Sequence, residues 1–129
     1  MTQKILLIDD DIVTQNMLVS TLINAGYSVI VAPNGDLGIE AASRQLPDLI
    51  ILDIMMPGMD GTDVAGLLKT NPKTKKIPII FLSSLITEKG ENNKSKDDVT
   101  TYLSKPYNAN ELLNEVKKYF LGRGITYKF

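Results

Sequence analysis

The stretch ILLIDDDIV, Ile5 to Val13, sets three aspartates directly behind four consecutive apolar residues. Four apolar residues in a row with a bounded end read as a strand covered on both faces, since a half-exposed strand would alternate apolar with polar. A second run, DLIILD, ends the same way at Asp53. Two buried strands that each end in carboxylates pose an electrostatic question, because like charges brought close resist ionisation.

The rest of the chain repeats the same alternation. Runs at 4–8, 28–32, 48–52, 77–82 and 101–103 have strand length and bounded ends. Between them lie helical stretches. Ile12 to Ala25 places Val13, Met17, Leu18 and Leu22 near one face and stops at Gly26 in a C′ position. Asn34 to Gln45 and Asp63 to Thr70 are shorter, the second ended by Asn71–Pro72. In the last helix Asn108 and Glu111 have capping-box spacing, and Leu112, Leu113, Val116 and Phe120 form its stripe. Residues 86–98, ITEKGENNKSKDD, hold one apolar residue, so the fourth helix is expected to be short or irregular. The pattern predicts a doubly wound α/β fold, a five-stranded parallel sheet with helices on both faces. Short right-handed crossovers predict the strand order 2-1-3-4-5, with the first and third strands side by side. One domain over 1–121 and a tail over 122–129 are expected.

The 129 residues carry 14 basic and 15 acidic side chains, a formal net charge of −1, so overall charge points to neither nucleic acid nor an anionic membrane. Apolar runs are broken well before bilayer length, and the first ten residues lack the order of a secretion signal, so a cytoplasmic location is expected. The chain has no His and no Cys. That excludes Cys/His zinc sites and histidine- or cysteine-based nucleophile pairs within the chain. Chemistry must rest on carboxylates, hydroxyls and lysines, and a carboxylate cluster selects a hard cation such as Mg²⁺.

In a doubly wound sheet, ligands bind beyond the C-terminal strand ends where the strand order reverses. Asp9, Asp10 and Asp53 would converge there. Asp11 reads as the helix cap. For Asp9 and Asp10 alone, helix-start chemistry and a metal site stand level, and Asp53 on the neighbouring strand tips the balance to a site. The fourth strand ends at Ser83 and the fifth near Lys105. Each alone reads as an ordinary polar strand end, but together the four strand ends could all engage a phosphoryl oxygen, directly or through metal.

With LLIDDD, PDLIILDIMMPGMDG, PIIFLSS and YLSKPY in place, residues 4 to 121 resemble a response-regulator receiver domain of two-component signalling, of the chemotaxis-regulator-like kind. The resemblance implies that Asp53 is the phosphoacceptor. It further implies that Asp9 and Asp10 hold Mg²⁺ (or Mn²⁺) together with Asp53 and the backbone carbonyl of Met55, Asp10 being a direct ligand. Ser83 matches the hydroxyl that bonds the phosphoryl group, Lys105 the lysine that pairs with it, and Tyr102 the aromatic partner of Ser83 in a switch. Lys105–Pro106 matches a bond usually cis in this family. The implied donor is a sensor histidine kinase or a histidine phosphotransfer protein, and the implied output is a protein target bound around helix 4, strand 5 and helix 5, with no direct nucleic-acid or membrane contact. Such a domain is a signalling module that catalyses only its own phosphorylation and dephosphorylation.

One departure is local: Asp98 and Val99 stand where the family has a Gly-Ala pair. Competing readings fit less well. A haloacid-dehalogenase-type phosphatase needs a second acid two residues past its nucleophile, where this chain has Met55. A flavin binder would not meet a phosphate dianion with three aspartates. A constitutive receiver-like interaction module would be expected to lack an acid, hydroxyl or lysine that is present here.

Overall fold

The computed structural model describes residues 2–83, 100–104 and 109–122, with side-chain surroundings for 2–82 and 109–121. Its strands are β1 (Lys4–Ile8), β2 (Ser28–Ala32), β3 (Leu49–Asp53), β4 (Ile79–Ser83) and β5 (Thr100–Ser104). Its helices are α1 (Ile12–Asn24), α2 (Gly35–Gln45), α3 (Gly61–Thr70) and α4, the last helix (Ala109–Gly122). The sheet is parallel throughout and runs β2-β1-β3-β4-β5, the expected order. Residues 86–98, predicted to form a short or irregular helix, lie outside the described residues, as does all of the expected 122–129 tail but Gly122, which closes α4.

The unbroken apolar strands are explained by the two cores they feed. On one face, Ile5 and Leu7, Leu49 and Ile51, and Ile80 and Leu82 pack with Leu18 and Leu22 of α1 and with Leu112, Val116, Tyr119 and Phe120 of α4. On the other, Leu6 and Ile8, Ile50 and Leu52, and Ile79 and Phe81 pack with Ala42 of α2 and Val64 and Leu68 of α3. Successive strand residues point to opposite faces, so a strand with helices on both sides must be apolar at every position. At roughly 25 cal/mol per Å² of apolar surface removed from water, these two layers are the dominant stabilising contribution.

Helix ends follow local chemistry. Asp11, Asn34 and Asp60 each accept a hydrogen bond from a backbone N–H three residues on, capping α1, α2 and α3. α3 therefore starts at Gly61, two residues before the expected Asp63, because the earlier of two aspartates takes the cap. The Thr62 hydroxyl and the Asp63 N–H hold the Asp60 carboxyl below its ordinary value of 3.8. A lowered folded-state pKa means that the contribution of this cap is present above 3.8 and is lost as pH falls through the lower folded value. α1 ends as expected: Gly26 has φ 98°, its N–H donates to Ile23 O, and Tyr27 N–H donates to Leu22 O, a Schellman arrangement.

Two features depart from the sequence reading. Of the expected stripe of α1, Leu18 and Leu22 are buried and seat the helix, whereas Val13 and Met17 are 65% and 54% exposed. The cause is that α1 has apolar residues around much of its circumference and no charged residue to mark a solvent side. α2 ends on Leu46 in the left-handed region (φ 47°, ψ 63°) with no glycine to relieve it. That conformation costs a non-glycine residue about 1–2 kcal/mol, and the Leu46 side chain is half exposed. Leu46→Gly is therefore expected to raise the melting temperature by a few degrees in a thermal melt followed by circular dichroism.

Candidate functional site

The site lies where the chain leaves β1 and β3 at the C-terminal edge of the sheet. Register places Ile8 beside Leu52, so the residues that follow, Asp9 and Asp53, emerge side by side. The ladder continues one step past each strand. Asp9 N donates to Ala32 O (3.2 Å) and Ile54 N to Leu82 O (3.0 Å), which fixes the backbone at both carboxylates.

Carboxylate oxygens of Asp9, Asp10 and Asp53 lie within 4.8 Å of one another. Asp9 is fully buried and Asp53 is 4% exposed, whereas Asp10 faces solvent. Backbone amides offset part of the crowding: Asp11 N donates to Asp9 Oδ1 (2.9 Å) and Met55 N to Asp53 Oδ1 (3.2 Å). Asp11 stands apart, its Oδ2 accepting from Thr14 N (2.9 Å) and from the Thr14 hydroxyl (2.6 Å). The cap reading of Asp11 and the clustering of the other three are both what the sequence led one to expect. Met55 follows two residues after Asp53 and its side chain is exposed.

Three all-oxygen donors opening to solvent through Asp10 fit a hard divalent cation. Mg²⁺ keeps several waters and takes one or two carboxylates, so it needs no closed cage. Its charge would also offset the repulsion among the three carboxylates.

Ser83 closes β4 and lies opposite Ser104 of β5, so the ends of β3, β4 and β5 share one edge of the sheet. Tyr102 lies mid-strand in β5, opposite Phe81. Lys105 and the Lys105–Pro106 bond lie outside the described residues.

Two residues at the site have roles that sequence reasoning did not assign. Gln15 Nε2 donates to the backbone carbonyl of Asp9 at 2.6 Å. Gly61 packs against the acceptor strand end: a Cβ there would lie 2.5 Å from Asp53 O and 2.7 Å from Ile54 Cα. Gly61 N also donates to Ile54 O (2.9 Å), closing the loop that follows Asp53. The obstacle is backbone, which cannot rotate aside. Gly61→Ala is expected to destabilise the fold by about 1–3 kcal/mol in denaturant unfolding, outweighing any gain in helix propensity. The glycine stands at the end of the PGMDG motif, but its role depends on a packing distance that no local pattern carries.

A doubly wound parallel sheet with an acidic cluster at its switch point defines a class of α/β domains whose ligand site lies beyond the C-terminal strand ends. Within it, the chain belongs to the response regulator receiver domain family, whose model matches residues 5–117. It is a receiver domain of two-component signalling. Curated relatives include an uncharacterised 14.6 kDa protein of Leptolyngbya boryana, 34% identical over 117 residues that cover 91% of this chain and 89% of that one. The response regulator PleD of Caulobacter vibrioides is 35% identical over 106 residues, covering 82% of this chain and 23% of that one. A probable transcriptional regulator, ycf29 of Pyropia yezoensis, is 38% identical over 114 residues, covering 88% of this chain and 51% of that one. The chain thus spans about half the length of that last relative.

Among solved structures, chemotaxis protein CheY4 of Vibrio cholerae aligns with a TM-score of 0.83 at 28% identity, covering 92% of this chain and 99% of that one. The receiver domain of a sensor histidine kinase from Pseudomonas aeruginosa, solved with magnesium coordinated in its active-site cleft, aligns with a TM-score of 0.81 at 27% identity, covering 92% and 98%. Among the described residues no helix is long and apolar enough to cross a membrane.

Proposed function

We propose that Asp53 accepts a phosphoryl group from a phosphohistidine on a partner protein, a sensor kinase or a phosphotransfer protein, and that the phosphorylated chain binds a downstream protein. The observation that carries this reading is the convergence of Asp9, Asp10 and Asp53 within 4.8 Å at the switch point of the sheet. Asp9, Asp10, Asp53 and the Met55 carbonyl would hold Mg²⁺, which when bound neutralises charge on the transferring group.

The remaining work falls to the chain itself. A carboxylate oxygen of Asp53 attacks phosphorus, the P–N bond to imidazole breaks, and its electron pair returns to the imidazole nitrogen. The transition state is loose, so alignment and charge stabilisation matter more than nucleophile strength. Lys105 pairs with a phosphoryl oxygen and the Ser83 hydroxyl donates to another. Water later hydrolyses the acyl phosphate and restores the carboxylate. Engagement of Ser83 draws it toward Asp53 and lets Tyr102 turn, altering the surface formed by residues 86–98, β5 and α4, a local charge change driving a two-state element. The receiver unit spans 1–121.

The test is phosphorylation by acetyl phosphate followed by intact-mass spectrometry. One phosphoryl group per chain is expected with Mg²⁺ and none in EDTA. Labelling that ignores chelation, or none under either condition, would overturn the reading.

A further inference from the structure

From its bond to the Asp9 carbonyl we infer that Gln15 is a positioning residue for the metal-binding carboxylates, holding the turn between β1 and α1 against their mutual repulsion. The inference rests on the reading that Asp9, Asp10 and Asp53 bind Mg²⁺, and it assigns a role to a residue outside that set.

The β1–α1 turn carries two of the three crowded carboxylates. Repulsion among them favours swinging the turn away from Asp53, and what opposes this is the anchoring of Asp9. Its N–H continues the ladder to Ala32 O, its Oδ1 accepts from Asp11 N, and its carbonyl accepts from Gln15 Nε2 at 2.6 Å. The first two bonds hold Asp9 from the strand side and from within the turn. The third ties it to the body of α1, which is seated on the core by Leu18 and Leu22.

Helix capping does not account for the Gln15 contact. The cap is already made by Asp11, which takes both the N–H and the hydroxyl of Thr14. Gln15 lies four residues into the helix and reaches back past the cap to a strand-end carbonyl. Residue type fits the task. A neutral amide donates without placing a cation beside a site built for one, whereas Glu could not donate and would add to the crowding. Groups that orient metal ligands commonly contribute tenfold or more to metal affinity.

The experiment compares the full chain with Gln15→Met, which keeps the length and removes the donor, and with Asn16→Ala, an exposed change in the same helical turn. Mg²⁺ affinity is measured by isothermal titration calorimetry, and exchange of the Asp11 amide is followed by NMR without metal. Gln15→Met is expected to weaken Mg²⁺ about tenfold and to speed exchange at Asp11, with α1 amides from Leu18 onward unchanged. Asn16→Ala should match the parent in both. Gln15→Ala gives the same readouts if the methionine variant does not fold.

Equal Mg²⁺ affinity in the parent and Gln15→Met would overturn the inference. So would matching losses in Gln15→Met and Asn16→Ala, which would mean general weakening of the helix. Absence of Mg²⁺ binding in the parent itself would instead defeat the metal-site reading on which the inference stands.

Discussion

Asp53→Asn is expected to take up no phosphoryl group from acetyl phosphate and Mg²⁺ while folding at least as stably as the parent without metal. The amide matches the carboxylate in size, and its oxygen can still accept from Met55 N, as Asp53 Oδ1 does at 3.2 Å. What it loses is the anionic nucleophile, and with it the acyl phosphate. What it gains is relief. Two ionised carboxylates at the separations found here, within 4.8 Å, repel by at least about 3 kcal/mol at the effective dielectric of a protein site. Removing one charge should therefore leave the apo melting temperature unchanged or raised, and should shrink the stabilisation that Mg²⁺ brings to the parent. Intact-mass spectrometry and paired melts with and without Mg²⁺ measure both halves. Undiminished labelling would remove Asp53 as acceptor, and a large fall in apo melting temperature would make the cluster a structural element rather than a binding site.

The second large effect separates two neighbours of identical chemistry. Asp10→Ala is expected to weaken Mg²⁺ at least about a hundredfold, because it deletes a direct ligand where even a group that only orients ligands contributes ten- to a hundredfold. Asp11→Ala should leave Mg²⁺ affinity within a few-fold of the parent yet cost about 1 kcal/mol of stability, since Asp11 is the cap of α1. Calorimetric titration and denaturant unfolding on the two variants give a crossed pattern: one loses metal and keeps stability, the other the reverse. Equal losses of metal in both would mean that the assignment of cap and ligand is wrong.

The strands were legible in the sequence because burial on both faces demands an apolar residue at every position, and ILLI at 5–8 meets that demand unaided. The order of the sheet followed from crossover length and handedness, and the motif around Asp53 carried the family. Local pattern was weaker where it left a degeneracy. α1 is apolar around much of its circumference, so its stripe was drawn through Val13 and Met17 as well as Leu18 and Leu22, of which the sheet buries only the last two. The start of α3 was read at Asp63, whereas the Asp60 carboxylate takes the Asp63 N–H and starts the helix two residues earlier.

The run Asp9-Asp10-Asp11 is the sharpest case, three identical residues with three different fates. By itself the sequence determined that carboxylates stand at the ends of two buried strands and that no histidine or cysteine competes with them. The cap role of Asp11 was already legible, but only the tertiary structure decided that Asp9 is buried beside Asp53 while Asp10 faces solvent from the same cluster. It also decided that Gln15 reaches back to Asp9 and that Gly61 leaves room for the Asp53 backbone. The physical reason is that residue type and periodicity are local. The pairing of Ile8 with Leu52 brings together segments far apart in the chain, and their register is set by packing two helical layers onto one sheet.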